Sequence, residues 1–187
     1  LVAARRAAGQ TVAVVSVDPT SPFSNGAVLG DRIRLVDHFT DPGVFIRSMA
    51  SRGQLGGVSL GTASAMTVLE AAGFDIVIVE TVGAGQNEVE IRSITDTVAL
   101  VLMPGSGDGV QALKAGVMEI PDVLVINKAD HPATPQLRAE LRAAMRLIPH
   151  DGWQVPVCET RANTAAGIDD LWDAVLGHRD ALGDEGL

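Results

Sequence analysis

The chain has 187 residues, enough for one α/β domain with a sizeable core. Its formal net charge of −9 argues against a nucleic-acid-binding surface, and an aromatic content of 3% without any Tyr argues against a base-stacking platform. The single cysteine, Cys158, excludes an internal disulfide framework and favours a cytoplasmic setting, and no apolar run approaches the roughly 20 residues of a membrane span.

The first predicted elements are the end of a helix and a strand. Residues 1–10 have the pattern of the second half of an amphipathic helix closed by Gly9, and residues 11–17 follow as a strand. A chain that begins in the middle of a helix predicts further sequence upstream. Asp18 stands just past the strand end, where a carboxylate suits Mg²⁺, although a turn-forming Asp before a proline has the same pattern.

The middle of the chain contains a glycine-rich segment and then its most apolar strand. A short strand over 44–46 leads into a Gly- and Ser-rich stretch up to residue 57, which suggests either a segment close to a ligand or an ordinary surface loop. A helix is predicted over about 63–72. Residues 76–79 are β-branched without interruption, which is typical of a strand buried on both faces, and Glu80 stands at its carboxyl end before a glycine turn.

The second half of the chain repeats this arrangement. Helical spacing over 87–94 and a strand over 97–103 precede another glycine loop, and the apolar run 123–126 then delivers Asn127, Lys128, Ala129 and Asp130 to a strand end. This NKAD sequence fits the NKxD pattern by which GTPases read guanine. Asp130 can accept hydrogen bonds from the N1 and N2 donors of guanine, and adenine lacks both donors. A helix over about 134–147, a strand over 155–157 and a helix over 168–176 complete the predicted elements.

Strands and helices alternate throughout, which predicts an α/β fold with a mostly parallel sheet covered by helices on both faces. We expect one domain over residues 1–178 and a tail without regular structure over 179–187. Ligands of such sheets bind at the carboxyl ends of the strands. The placement of Asp18, Glu80 and Asp130 at three strand ends therefore predicts a nucleotide site at that edge.

Several longer motifs resemble the MeaB/ArgK family of P-loop GTPases, which serve adenosylcobalamin-dependent acyl-CoA mutases. They occur in the family's order from about residue 11 to residue 172: VDPTSPF, LGDRIR, DPGVFIRSMASRGQLGG, FDIVIVETVGAGQNEVE, GSGDGVQALKAG, NKAD and AGIDDLW. The resemblance implies a P-loop NTPase-like fold, GTP and GDP with Mg²⁺ as ligands, and GTP hydrolysis. It also implies that the protein acts as a chaperone of a methylmalonyl-CoA mutase-type partner, gating cofactor loading or protection.

The resemblance also assigns roles to individual residues. Those expected near Mg²⁺ are Asp18, Asp31 in the first switch segment, and Glu80 as the Walker B acid that holds the ion through water. Those expected near the reacting phosphate are Gly83, through its backbone N–H, and Gln86, which would orient the attacking water. Those expected to read the base are Asn127, Lys128, Asp130, Thr160, Arg161 and Ala162. The segment 105–116, with Asp108, Gln111 and Lys114, resembles a further loop that senses nucleotide and partner, whereas the residues alone favour a solvated helix face for Lys114.

One motif of the family is missing from the sequence. No GxxxxGK[ST] occurs in the 187 residues, so the phosphate loop and the strand before it are expected upstream of residue 1. We therefore expect the chain alone to expose a central sheet edge, to dissolve poorly and to bind GTP weakly or not at all. The family dimerises largely through a C-terminal extension, and because the chain stops soon after Trp172 we do not expect that dimer here.

Three other functions remain open at this point. A truncated member of the same family could serve as a binding module without chemistry, and an upstream phosphate loop would argue for the enzyme instead. A small-molecule kinase linked to amino-acid transport needs an acceptor pocket. A nickel-delivery GTPase needs clustered Cys and His ligands, whereas the four histidines are scattered: His38, His131, His150 and His178.

Overall fold

Six parallel strands and four helices make up the computed structural model, which describes residues 1–18, 37–50, 60–81, 91–106, 121–146 and 152–183. The strands are β1 (Val12–Asp18), β2 (Val44–Ala50), β3 (Ile76–Thr81), β4 (Ala99–Leu102), β5 (Val123–Asn127) and β6 (Val157–Thr160). The helices are α1 (Val2–Ala7), α2 (Leu60–Ala71), α3 (Thr134–Met145) and α4 (Ile168–Leu182). Contacts divide the chain into an N-terminal unit, Val2–Ile94, and a C-terminal unit, Thr95–Leu187 together with Leu1.

The N-terminal unit is a three-stranded parallel sheet in the order β2-β1-β3. Its central strand is the most buried element, since every residue from Val12 to Val17 is at most 4% exposed. One face of this strand packs on α2 through Leu69, and the other packs on α1 through Val2. Because the strand is covered on both faces, its sequence is almost continuously apolar.

The C-terminal unit has the same plan, with strand order β4-β5-β6 and β5 in the centre. Leu124 and Ile126 face α3, where they form a core with its Leu137 and Leu141. Val123 and Val125 face α4, where Leu171 completes a second core. The predicted α/β fold with parallel strands and helices on both faces is therefore confirmed in each unit.

An aspartate immediately before a strand fixes the strand register in both units. Asp75 accepts hydrogen bonds from the backbone N–H and the hydroxyl of Thr11, at 2.7 and 2.8 Å, which aligns the starts of β1 and β3. Asp122 in the same way accepts the backbone N–H of Val98 at 2.8 Å, which aligns β4 with β5. These carboxylates use ladder donors that would otherwise be left unpaired at the amino ends of the strands.

Helix α4 is longer than the sequence pattern predicted. The expectation of an irregular tail is wrong for residues 179–182, which continue the helix to Leu182. His178 explains the extension, because it is 5% exposed and lies within hydrogen-bonding distance of Thr97 and 3.4 Å from Asp122. Trp153 packs against its ring, and this buried polar contact holds the last turns of the helix on the unit.

The remaining boundaries differ from the predictions by a few residues. β2 continues to Ala50 rather than ending at residue 46, α2 begins at Leu60, and β6 runs over Val157–Thr160 rather than 155–157. Of the helix predicted over 87–94, only 91–94 lie within the described residues, and 91 and 92 are helical. Within the described ranges, no helix combines the length and the apolar character that crossing a bilayer requires.

Candidate functional site

The NKAD sequence forms a tight turn at the carboxyl end of β5. Asn127 is the last residue of the strand, and Lys128 has a positive φ of 57°, which turns the chain sharply away from the sheet. The N–H of Ala129 donates to the carbonyl of Thr160 at 3.0 Å, so the turn is tied to the neighbouring strand β6. The side chains of Lys128 and Asp130 are exposed and available to a ligand.

The side-chain oxygen of Asn127 joins the two predicted base-reading segments. It accepts hydrogen bonds from the hydroxyl of Thr160 and from the backbone N–H of Ala162, both at 3.2 Å. Thr160 is 3% exposed, and this bond satisfies its hydroxyl inside the protein. Among the residues that the structure describes, the Asn127 amide nitrogen has no partner, so its two N–H donors are available to an acceptor on a base.

The loop after β6 is closed on itself. Arg161 and Ala166 form an isolated antiparallel bridge, and the N–H of Thr164 donates to the carbonyl of Arg161 at 3.0 Å. Gly167 has a φ of 74°, and a Cβ at this position would collide with the carbonyl oxygen of Glu159. The close approach requires glycine, which allows the loop to return to α4 while presenting the exposed Arg161.

A second loop of the C-terminal unit reaches the NKAD turn. Gly105, just after β4, has a φ of 80°, and a Cβ there would lie 3.1 Å from Cε1 of His131. The imidazole of His131 is fixed in this place by the N–H of Ala133, which donates to its Nδ1 at 3.1 Å. The start of the predicted sensing segment 105–116 is therefore packed against the residue that follows Asp130.

In the N-terminal unit, Glu80 lies on β3 next to β1. The strand register places it opposite Ser16, whose hydroxyl donates to Glu80 Oε2 at 3.1 Å. Among the described residues the other carboxylate oxygen of Glu80 has no partner. A carboxylate with one oxygen fixed and one available fits an acid that holds Mg²⁺ through a coordinated water.

Some predicted site residues fall where the structure gives no side-chain description. Gly83, Gln86 and Asp31 lie outside the described residues, as do the three side chains named in the sensing segment: Asp108, Gln111 and Lys114. Asp18 ends β1 and pairs with Ala50, and only its backbone is described. The structure brings together Asn127, Thr160 and Ala162, whereas Glu80 belongs to the other unit.

The sequence analysis missed two residues that shape these sites. Ser16 could have been noticed as the single polar residue inside the apolar run 12–17, which is unusual for a strand buried on both faces. Gly167 carries no such signal, because its requirement for glycine comes from the carbonyl of Glu159, eight positions earlier in the chain.

Comparisons with known proteins identify the family of the chain. The family model described as Methylmalonyl Co-A mutase-associated GTPase MeaB matches residues 1–187. A protein of Pyrococcus abyssi named as a GTPase is 52% identical over 186 residues, covering 97% of this chain and 57% of that protein. The GTPase ArgK of Escherichia coli is 40% identical over 179 residues, covering 93% of this chain and 54% of that protein. The chain thus spans little more than half the length of these relatives.

A solved structure supports the fold independently. HypB from Helicobacter pylori, crystallised in complex with nickel, superposes with a TM-score of 0.60, covering 92% of this chain and 76% of that one. The sequence identity is 15%, so the likeness establishes the fold alone.

Proposed function

Because the chain belongs to the family of methylmalonyl-CoA mutase-associated GTPases, we propose that the protein binds GTP and GDP with Mg²⁺ and hydrolyses GTP. The observation that carries this proposal is the Asn127 contact to Thr160 and Ala162. It fixes the amide at the end of β5 with its donors available, three residues before Asp130, whose side chain is exposed. Together these groups offer donors to the acceptor edge of guanine and an acceptor to its N1–H and N2–H₂.

Lys128 completes the proposed base site. Its left-handed backbone turns the chain directly after Asn127, and its exposed stem can pack along the ring of the base. Arg161 follows Thr160, the register partner of Asn127, and is exposed as well. We assign Thr160 and Ala162 to the support of Asn127 rather than to the base itself, since their described contacts are made to its side chain.

Glu80 is the proposed acid of the hydrolytic site. Mg²⁺, when bound with the nucleotide, would neutralise charge on the β- and γ-phosphates. Glu80 would hold Mg²⁺ through a water, with its carboxylate as the acceptor, and Asp18 and Asp31 are proposed as further acidic groups near the ion. Gly83 and Gln86 are proposed for the γ-phosphate and the attacking water.

The Glu80 role is tested by Glu80→Gln in the full-length protein. The change keeps size and hydrogen bonding but removes the charge, so we expect Mg²⁺-dependent GTP hydrolysis to fall by about a hundredfold or more while the melting temperature stays close to wild type. Glu70→Gln, an exposed change on α2 of the same unit, is the matched control. Wild-type turnover in Glu80→Gln would remove Glu80 from the reaction.

We further propose that the GTPase cycle gates cofactor loading or protection of an adenosylcobalamin-dependent acyl-CoA mutase, in the cytoplasm. The family description supports a mutase of the methylmalonyl-CoA type. The packing of His131 against Gly105 supports coupling, because it links the proposed base site to the start of the 105–116 segment. Single-turnover GTP hydrolysis with and without the cognate mutase is the test, and an identical rate in both would count against gating.

A further inference from the structure

A polar row crosses the sheet of the N-terminal unit at the level of Glu80. Ser48 on β2, Ser16 on β1 and Glu80 on β3 are direct register partners, so their side chains lie on the same face. The row two residues nearer the amino ends of the strands is entirely apolar and consists of Ile46, Val14 and Ile78. The polar character of this face therefore begins with the row that contains Glu80.

The hydroxyl of Ser16 lies at a position where it would lower the stability of the fold if it had no hydrogen-bond partner. Ser16 is 3% exposed in the central strand, between Val15 and Val17, which are 0% and 4% exposed. A hydroxyl buried among apolar groups lowers stability unless it finds a partner. The partner here is Oε2 of Glu80, at 3.1 Å.

The bond constrains a flexible side chain. A glutamate has three rotatable side-chain bonds, so an unrestrained carboxylate samples several positions around the end of β3. The hydroxyl of Ser16, on the rigid central strand, favours the carboxylate positions in which Oε2 faces β1. Hydrogen bonds to a carboxylate are stronger than those between neutral groups, which favours this arrangement.

We infer that Ser16 is a positioning residue for Glu80, holding Oε2 so that the second carboxylate oxygen is presented to the water shell of Mg²⁺. The inference rests on the proposed role of Glu80 in the GTPase reaction. Ser16 itself touches neither nucleotide nor metal in this assignment. It acts on the ion through Glu80, in the way that outer hydrogen-bond partners orient metal-binding carboxylates.

Ser48 offers an internal control. It is the other serine of the row, one strand further from Glu80, and its hydroxyl oxygen is buried without a hydrogen-bond partner among the described residues. Removing this hydroxyl changes the same chemical group in the same row without changing a described contact of Glu80.

The experiment compares Ser16→Ala, Ser48→Ala and Glu80→Gln in the full-length protein. GTP hydrolysis is measured as a function of Mg²⁺ concentration, together with KM for GTP at saturating Mg²⁺ and the melting temperature. For Ser16→Ala we expect the half-saturating Mg²⁺ concentration to rise about tenfold, the order expected for one hydrogen bond to a charged group, with KM for GTP unchanged. For Ser48→Ala we expect wild-type Mg²⁺ dependence.

The results for these variants distinguish the positioning role of Ser16 from the proposed GTPase function. If Glu80→Gln abolishes hydrolysis while Ser16→Ala keeps wild-type Mg²⁺ dependence, the positioning role is wrong and the GTPase proposal stands. If Ser48→Ala shifts the Mg²⁺ dependence as much as Ser16→Ala does, the effect comes from packing of the row, and the inference is also wrong. If Glu80→Gln hydrolyses GTP normally, Glu80 has no part in the reaction and the positioning role of Ser16 is wrong, while the GTPase proposal stands. If the wild-type protein does not hydrolyse GTP, the proposed function itself is wrong. In the Glu80→Gln background, adding Ser16→Ala should change nothing further, because the group that it positions is already lost.

Discussion

The side-chain oxygen of Asn127 lies 3.2 Å from the hydroxyl of Thr160, so the ends of β5 and β6 are joined by a side chain as well as by the sheet. The pair stands in register across the two strands. Because the side-chain oxygen of Asn127 already accepts hydrogen bonds, the amide cannot rotate freely. Its nitrogen therefore keeps one orientation, in which it can donate to a ligand.

Thr160→Val should weaken nucleotide binding without weakening the fold. Valine keeps the shape of the buried threonine but cannot donate to Asn127, so GDP affinity of the full-length protein should fall between about threefold and tenfold. Calorimetric titration measures the affinity, and chemical denaturation checks that stability is retained. Thr164→Val is the matched control, because the Thr164 hydroxyl donates to the nearby carbonyl of Arg161, at 3.3 Å, and not to Asn127. Equal affinities in the two variants would contradict the prediction.

Asp130→Asn should change the base that is preferred. An asparagine can no longer accept both guanine donors, so affinity for GDP should fall by about a hundredfold. Xanthine carries a carbonyl oxygen in place of the 2-amino group, and the new amide can donate to it, so binding of xanthine nucleotides should strengthen. Competition against a fluorescent nucleotide measures both affinities. Asp173→Asn, exposed on α4, should preserve the preference for guanine. Unchanged discrimination in Asp130→Asn would show that another group reads the base.

Gly167, which precedes α4, and Gly177, which lies inside it, should respond to alanine in opposite ways. Gly167→Ala places a methyl group against the carbonyl of Glu159 at a φ of 74°, so the free energy of unfolding should fall by about 2 kcal/mol or more. Gly177 lies inside α4, where a Cβ would lie 3.5 Å from the ring of Trp153, an ordinary contact. Gly177→Ala should therefore raise the free energy of unfolding by about 0.5–1 kcal/mol. Urea denaturation measures both, and a neutral Gly167→Ala would show that the loop can relax.

The free energy of unfolding of the N-terminal unit should fall at acidic pH, because two aspartates lose their stabilising hydrogen bonds when they are protonated. The hydrogen bond from Arg6 and then the N–H of Gly43 lower the pKa of Asp41, and the N–H and hydroxyl of Thr11 lower the pKa of Asp75. A carboxyl with a lowered pKa contributes stability above its unfolded-state pKa of about 3.9 and loses it as the pH falls through its folded-state pKa.

The measurement is the free energy of unfolding as a function of pH between about pH 6 and pH 2, the range in which such carboxylates titrate. Asp41→Asn should make the acid-side slope shallower, since one of the protons taken up on unfolding is removed. Asp37→Asn, an exposed change of the same charge, is the control. A slope as steep in Asp41→Asn as in wild type would mean that the Arg6 contact does not contribute to acid sensitivity.

Much of the architecture could be predicted from local pattern. The apolar runs 12–17 and 123–126 are the two central strands, as strands covered on both faces must be, and the glycines that end helices lie where the pattern placed them. The end of α4 could not be predicted in this way. His178 reads as polar in sequence, and it is buried only because Asp122 and Trp153, from other parts of the chain, meet it there.

The sequence by itself determined the family, the alternation of strands and helices, and the placement of Glu80, Asn127 and Asp130 at strand ends, because these depend on spacing along the chain. Only the tertiary structure decided which side chains restrain them. Ser16 reaches Glu80 across 64 positions and Thr160 reaches Asn127 across 33. Such contacts arise from strand register between distant segments, and hydrophobic periodicity within one segment carries no information about its neighbour.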